Sequence, residues 1–308
     1  MDDETLLDPA FVRSLEGLRV ALRQRVKGVR AGDHRTHRRG QSVEFAEHRP
    51  YTPGDDPRRI DWNAYARLGD LVVRLFVAEE DVTVHLLLDA SASMGFGTPS
   101  KLSRARRLAA ALGYLALTGT ERVSLSVSAA DLARPVPALR GRAAVPALLK
   151  HLDALRPVGH APLEQAASRA VTGPSGRSSV AVVLTDALDQ GASLRACWRL
   201  AAARHAVTLV HLLCDDELRP PPDDVGTLVD SETGESLDLA LDDEALERYQ
   251  THLRAWLADL AGQCARRGVR YVRAFDGREP LEVLGEVLTG RARDHVPVGP
   301  QGASPWDG

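Results

Sequence analysis

Three oxygen-bearing side chains follow one largely apolar segment of the chain at alternate positions. Residues 82–88 have the composition of a buried strand, and Asp89, Ser91 and Ser93 come directly after them. Alternate residues of an extended chain point to one side, so a carboxylate and two hydroxyls should converge past the end of this strand. Ligands of open α/β sheets bind at that edge. Hard oxygen ligands suit Mg²⁺ or Mn²⁺, so the spacing predicts a divalent metal site.

A second apolar segment ends in the same way and supplies another carboxylate. Residues 179–184 lead into Thr185 and Asp186. If the two strands lie close together in one sheet, Asp186 faces the same pocket as Asp89. The two carboxylates would nearly neutralise a divalent ion, and the amino end of a helix starting near Ser100 would add positive partial charge. We therefore expect an open coordination position that accepts an Asp or Glu of a partner protein.

Two other interpretations of these residues stay open. Asp89 and Ser93 could cap the following helix through its free N–H groups. The pocket could also belong to a metal-dependent hydrolase or phosphatase, with His160 or Asp189 as base or nucleophile. In that case Asp189 would share a helical face with the strand-terminal aspartate. The chain has no Gly-x-Ser-x-Gly elbow, which argues against the two serines as nucleophiles.

The elements that must position these loops alternate along the chain. Strands are predicted at 42–48, 71–77, 82–88, 123–127, 179–184, 207–213 and 269–275, with an edge strand at 131–136 and a hairpin over 226–239. Helices are predicted at 11–26, 102–117, 145–155, 163–171, 194–204, 243–267 and 280–288. The alternation favours an α/β fold with a mostly parallel sheet and helices on both faces. We expect residues 1–80 to pack on a core domain of 81–292, followed by a disordered tail at 293–308.

A second signature lies between residues 44 and 67, where arginines alternate with carboxylates. Its characteristic residues are Arg49, Tyr51, Gly54, Asp55, Asp56, Arg58, Asp61, Trp62 and Arg67. We favour an internal ion-pair network that fixes an irregular segment, because the planar guanidinium pairs bidentately with carboxylates. A docking surface or a phosphate site is the alternative. Trp62 and Tyr65 are expected to anchor the segment to a core.

Composition excludes several classes of protein. The chain has 308 residues, and 44% of them are hydrophobic, which is enough for a sizeable core. Its net charge of −3 does not predict a general nucleic-acid binder. The basic segment 30–39 has no interleaved aromatic residues for base stacking, so we expect a solvated loop there, with nucleic-acid binding as the alternative. The scattered cysteines, the acidic start and the lack of a long apolar run predict a cytoplasmic protein without a membrane span.

The Asp-x-Ser-x-Ser loop and the later Thr-Asp pair resemble the metal-ion-dependent adhesion site of von Willebrand factor A domains. In that family a third loop usually offers a threonine in a Gly-x-Thr context. The matching residues here are Gly159, His160 and Ala161, so Ala161 holds the threonine position. The resemblance therefore implies Mg²⁺ or Mn²⁺ binding with one direct ligand fewer and a lower affinity.

With the signature of residues 44–67 and the segment 230–235, the chain resembles domain-of-unknown-function family number fifty-eight. These are bacterial von Willebrand A-like proteins, commonly linked to MoxR-type AAA+ ATPases. The resemblance implies a von Willebrand A-like fold in which Ser91 and Ser93 ligate the ion directly, and Asp89 and Asp186 do so directly or through water. It also implies a non-enzymatic role, binding protein partners beside an ATPase that remodels or matures protein complexes.

Overall fold

The structure is a computed structural model, and it describes residues 5–29, 45–76, 82–119, 121–128, 138–159, 163–172, 179–189, 191–220, 226–231, 234–239 and 242–290. The chain divides into two compact units. The larger unit comprises the residues up to Arg23 together with those from Val82 onwards, and the smaller unit is Gln24–Asp81.

The elements of the chain up to the first core helix are α1 (Pro9–Val29), β1 (Phe45–Pro50), α2 (Trp62–Leu68), β2 (Val72–Phe76), β3 (Thr83–Asp89) and α3 (Lys101–Leu117). The next are β4 (Arg122–Ser128), β5 (Leu139–Arg140), α4 (Val145–Asp153), α5 (Leu163–Thr172), β6 (Ser179–Thr185), α6 (Ala192–Ala202) and β7 (Ala206–Leu212). The last are α7 (Asp215–Leu218), β8 (Gly226–Val229), β9 (Ser236–Leu239), α8 (Asp243–Arg266), β10 (Arg270–Ala274) and α9 (Pro280–Thr289).

The larger unit is built on one sheet with the strand order β10-β7-β6-β3-β4-β5. The pairs β10–β7, β7–β6, β6–β3 and β3–β4 are parallel, and only the short edge strand β5 runs antiparallel to its neighbour β4 in the described sheet. The predicted α/β class with a mostly parallel sheet is confirmed. The edge strand predicted at 131–136 lies outside the described residues.

The sheet buries two apolar clusters, one on each face. Leu86 and Leu88 of β3 lie in a cluster with residues of α1, α3, α4 and α9. Leu87, which points the other way because side chains alternate along a strand, lies in a cluster with residues of α5, α6 and α8. Helices therefore cover both faces, as the β-α-β pattern predicts.

The direction of the chain reverses beside β3. After β3 the chain moves to β4 on one side, and it later returns to β6 on the other side before continuing to β7. Loops that leave neighbouring strands toward opposite faces open a crevice at the carboxyl edge of the sheet. The loops that follow β3 and β6 border this crevice.

The smaller unit is an antiparallel ribbon of β1 and β2 with the short helix α2 between them. The N–H of Tyr51 donates to the carbonyl of Leu71 at 2.8 Å, and Asp61 caps α2. Within the described part of the chain, no helix is both long and apolar enough to cross a membrane. The predicted tail, 293–308, and the basic segment 30–39 lie outside the described residues.

Candidate functional site

The loop after β3 folds back onto the last residue of that strand, Asp89. The Ser91 N–H donates to Asp89 Oδ1 at 2.9 Å, a local bond that aspartates commonly accept from two residues ahead. The hydroxyl oxygens of Ser91 and Ser93 are 3.0 Å apart, and all three residues are buried. The structure therefore brings these three side chains together past the end of β3.

Thr185, the last residue of β6, joins the second loop to the first. Its hydroxyl donates to Asp89 Oδ2 at 2.7 Å and accepts the N–H of Ala187 at 3.0 Å. Ala187 has a φ of 56°, a left-handed conformation that costs an alanine about 1–2 kcal/mol. The bond to Thr185 helps to hold this turn, so that Asp89 and the loop carrying Asp186 are fixed together.

The cap of the following helix is Ser100, not Asp89 or Ser93. The Ser100 hydroxyl accepts the N–H of Ser103 at 3.2 Å at the start of α3. The carboxylate of Asp89 is instead engaged by Ser91 and Thr185. The interpretation of the motif as a helix cap is therefore wrong.

A lysine lies at the same edge of the sheet. Lys101, the first residue of α3, is fully buried, and its Nζ is 2.7 Å from Asp186 Oδ2 and 2.6 Å from Glu217 Oε1. The other oxygen of Glu217 accepts the N–H of Cys214 at 2.8 Å. The ammonium therefore ties the loop after β6 to α7, which follows β7.

Burial and the charges of neighbouring groups shift the pKa values of Asp89 and Lys101. Burial, and then the charge of nearby Asp186, raise the pKa of Asp89 to about 6. Burial by itself lowers the pKa of Lys101, but the attraction of Asp186 and Glu217 together outweighs burial and raises that pKa above its ordinary value. Lys101 is therefore held in its charged form by the two carboxylates.

His211 of β7 contacts the backbone of Asp186 and helps to hold it in place. Its Nε2 lies 2.9 Å from the carbonyl oxygen of Asp186, and its Nδ1 lies 2.6 Å from the Tyr271 hydroxyl. A carbonyl can only accept, so Nε2 carries the proton and Nδ1 accepts from the tyrosine. Burial lowers the pKa of His211 to about 4, so the ring is a neutral support for the backbone of Asp186.

These residues fit a divalent ion only in part. Two oxygens at adjacent positions around Mg²⁺, each about 2.1 Å from it, are about 3 Å apart, and the 3.0 Å between the Ser91 and Ser93 hydroxyls matches this. Asp186 does not fit, because its Oδ2 is already paired with an ammonium that would repel the ion. The two serine hydroxyls therefore have a spacing that fits a divalent ion, whereas Asp186, paired as it is, does not, and Mg²⁺ or Mn²⁺ binding stays a prediction.

The other residues proposed for metal or acid–base chemistry are placed as follows. His160 and Ala161 lie outside the described residues. Asp189 does not share a helical face with Asp186, because the segment between them is irregular. Its carboxylate instead accepts the N–H and the hydroxyl of Ser193 at 3.0 and 2.6 Å, which ties it to the start of α6.

The comparison with protein families decides what kind of chain carries this site. A family model described as "Protein of unknown function DUF58" matches residues 47–257, more than half of the chain. The chain belongs to the DUF58 family. The Asp-x-Ser-x-Ser loop, the Thr-Asp pair and residues 47–67 of the second signature lie inside the matched region, and the resemblance to this family is confirmed.

This DUF58 chain is also similar to particular proteins. It is 31% identical over 260 residues to "Uncharacterized protein Rv1480" of Mycobacterium tuberculosis, covering 82% of this chain and 81% of that protein. Among solved structures, BatB from Bacteroides thetaiotaomicron is 17% identical with a TM-score of 0.42, covering 68% of this chain and 98% of BatB. The SpRpn10 VWA domain is 14% identical with a TM-score of 0.36, covering 68% and 94% respectively.

The arginine–carboxylate signature of this DUF58 chain is held together within the smaller unit. One nitrogen of Arg49, Nη2, donates to both oxygens of Asp55 at 2.8 Å, and Asp55 also accepts the N–H of Thr52. The other nitrogen, Nη1, donates to the Thr52 hydroxyl at 3.0 Å. Gly54, between Thr52 and Asp55, has a φ of 105°, which side chains disfavour. The remaining carboxylates of the signature that the structure describes act as helix caps: Asp56 accepts the N–H of Arg58, and Asp61 accepts those of Asn63 and Ala64.

One expectation for this segment is wrong. Trp62 and Tyr65 do not anchor it to a core, because their exposed fractions are 58% and 44%. They lie on α2 with their rings in an edge-on contact, 6.2 Å between centroids. Arg58 and Arg67 are exposed as well. The start of this helix is held by the Asp61 side chain, which caps it, and not by the two aromatic rings.

Sequence reasoning missed Lys101, Glu217 and the role of Thr185. One usable signal was composition, since only three of the 39 basic residues are lysines, and Lys101 alone of these follows the motif closely. A second signal was the position of Lys101 in the chain. The first residue of a helix that begins at the carboxyl edge of the sheet lies next to the pocket. Neither signal identifies Glu217.

Proposed function

We propose that this DUF58 protein is a non-enzymatic protein-binding module that acts from the carboxyl edge of its sheet. One observation carries this proposal: three loops at that edge each expose a large apolar side chain. Phe96 follows β3, Val158 precedes α5, and Leu188 follows β6, with exposed fractions of 48%, 50% and 53%. Two backbone bonds, Val158 N–H to the Ala90 carbonyl and Ala92 N–H to the Gly159 carbonyl, join the first two loops.

The chemistry of the pocket favours binding over catalysis. Asp89 accepts bonds from Ser91 and Thr185, and Asp186 is paired with a buried ammonium, so both carboxylates are held in fixed structural roles. A general acid or base must instead reach a substrate proton. Exposed apolar groups around a rigid polar centre match the composition of protein interfaces. A metal-dependent hydrolase remains the alternative, and metal-dependent turnover lost in Asp186→Ala would support it.

The partner implied by the family resemblance is a MoxR-type AAA+ ATPase, and the cytoplasm is the proposed location. The test is binding of such an ATPase from the same organism to the purified full chain. The variants Phe96→Ser and Leu188→Ser should weaken binding by about tenfold or more, because each removes an apolar side chain that the bound partner would bury. The matched control, Leu288→Ser, changes a leucine that is exposed on α9 and should leave binding intact.

Two outcomes would contradict different parts of the proposal. Equal binding by wild type and both edge variants would exclude this edge as the docking surface. An ATPase that binds neither wild type nor variants would exclude the partner. The expectation from the sequence, an Asp or Glu of the partner completing the coordination of Mg²⁺, would require that EDTA abolish binding, and the pairing of Asp186 with Lys101 argues against it.

A further inference from the structure

The strongest unexplained feature of the site is a fully buried lysine that is paired with one of the four predicted metal ligands. Lys101 contacts Asp186, one of the four predicted ligands, and Glu217 at ion-pair distances of 2.7 and 2.6 Å. We propose that the Lys101 ammonium is the resident cation of this edge, in the role expected of Mg²⁺, so that the site assembles without a divalent ion. The inference concerns the cation itself and does not rest on the ATPase as partner.

Both predicted carboxylate ligands already have internal donors. Asp186 Oδ2 takes the ammonium, and its Oδ1 accepts the N–H of Leu188 at 3.3 Å. Asp89 accepts the Ser91 N–H with one oxygen and the Thr185 hydroxyl with the other. Buried carboxylates are tolerated when they are paired and hydrogen-bonded in this way. A metal ion is therefore not needed to neutralise Asp186, which already has the ammonium as its cation.

The ammonium is also fixed in place. The N–H of Lys101 donates to the carbonyl of Phe96 at 2.9 Å, which anchors the residue at the start of α3. Glu217 holds the other side of the ammonium, and its second oxygen is itself bonded to the N–H of Cys214. An ion approaching Asp186 would have to displace a charge that is held by two carboxylates and shielded from water.

Lysine suits this position better than the arginine that the chain uses almost everywhere else. An ammonium is a compact point charge with three donors in different directions, whereas a guanidinium is planar and larger. The two acceptors come from separate segments, the loop after β6 and the helix α7 after β7, and a compact donor can lie between them. The lysine therefore performs what a small cation does, joining oxygens from different segments.

The test measures metal binding directly, without any partner. The purified full chain, cleared of metal with EDTA, is titrated with Mn²⁺ while free Mn²⁺ is followed by electron paramagnetic resonance, and the thermal midpoint is measured with and without Mn²⁺. Wild type should bind no Mn²⁺ and show no shift of the midpoint. Lys101→Met should have a lower midpoint in EDTA and should bind Mn²⁺, which raises its midpoint by several degrees, because the carboxylates then lack their internal cation.

Controls separate the site from general effects. Lys150→Met removes an exposed lysine on α4 and should behave as wild type in both assays. The double variant Lys101→Met with Asp186→Asn should lose the gained Mn²⁺ binding. Stoichiometric Mn²⁺ binding by wild type with a raised midpoint would overturn the inference, and this reading remains valid even if Lys101→Met fails to fold. A folded Lys101→Met that keeps the wild-type midpoint and gains no Mn²⁺ binding would overturn it too.

Discussion

Thr185 is the side chain that joins the two motif loops. Its hydroxyl has one proton, which it donates to Asp89 Oδ2, and its oxygen accepts the N–H of Ala187. Thr185 is fully buried and both partners are buried as well, so neither partner gains water in place of the hydroxyl if it is removed. The cost of losing it is therefore the desolvation of two buried polar groups in addition to the lost bonds.

Replacing Thr185 with valine, which has nearly the same shape, should lower the free energy of unfolding by roughly 2–3 kcal/mol, because two buried groups lose their partner. Thr185→Ser keeps the hydroxyl and removes only a methyl group, and it should cost about 1 kcal/mol. Urea unfolding of both variants measures the difference. Equal stability of the valine and serine variants would show that the hydroxyl does not stabilise the loops.

The residues that the sequence could identify are those whose relation is local. Asp89, Ser91 and Ser93 follow from strand alternation over five positions. Lys101 does not, because its partners Asp186 and Glu217 are 85 and 116 residues away along the chain. Spacing cannot reveal an ion pair between such distant segments, and only the packing of α3 against the sheet brings them together.

Among the helices, the packing of α3 against α4 depends on a glycine. A Cβ built on Gly113 would lie 2.2 Å from Leu148 Cδ2, and Leu148 is fully buried on α4. Glycine in the middle of a helix otherwise costs about 1 kcal/mol relative to alanine. Its presence here is explained by the close approach of the neighbouring helix.

Gly113→Ala should therefore lower the free energy of unfolding by about 1–3 kcal/mol, since overpacking outweighs the gain in helix propensity. The matched control is Gly262→Ala on α8, where the added Cβ would meet only Arg266 Nη1 at 3.4 Å. That substitution should stabilise the protein by about 0.5–1 kcal/mol. Both are measured by thermal or urea unfolding. If the two substitutions shift stability in the same direction, the packing argument fails.

Long helices whose apolar residues repeat regularly were predictable from the sequence, and short exposed elements were less predictable. The predicted helix at 102–117 is Lys101–Leu117 and the predicted helix at 243–267 is Asp243–Arg266, because a buried stripe repeats along each. Helix α2 spans only seven residues, and its aromatic side chains point to solvent. Aromatic residues in such a short segment do not reveal by themselves whether a core covers them.

At the scale of the whole molecule, the class of sheet was predictable and its strand order was not. Alternating strands and helices imply parallel neighbours, but nothing in the pattern says that β6 pairs with β3 on the side opposite β4. That order creates the crevice where the site lies. The sequence therefore predicted the edge of the sheet that carries the site, while the pairing that brings Asp89 and Asp186 together came from the structure.

Part of the pH dependence of global stability should come from two neighbouring histidines on the sheet. His85 of β3 and His205, just before β7, are both buried, and their rings are in edge-on contact 5.1 Å apart. Burial, and then the neighbouring His205, lower the pKa of His85 from 6.5 to about 4. Burial also lowers the pKa of His205. Both rings are therefore neutral in the folded protein at neutral pH.

The sign of the effect follows from these shifts. The unfolded chain takes up a proton on His85 below pH 6.5, whereas the folded protein does so only near pH 4, so stability is lost as the pH falls through this window. Between pH 7.5 and pH 5, His85 alone should account for roughly 2 kcal/mol of lost unfolding free energy. His85→Phe removes this titration and should flatten the pH dependence of urea unfolding by that amount. His252→Phe, at an exposed histidine on α8, should keep the wild-type pH dependence. A His85→Phe variant as acid-sensitive as wild type would show that the pair is not responsible.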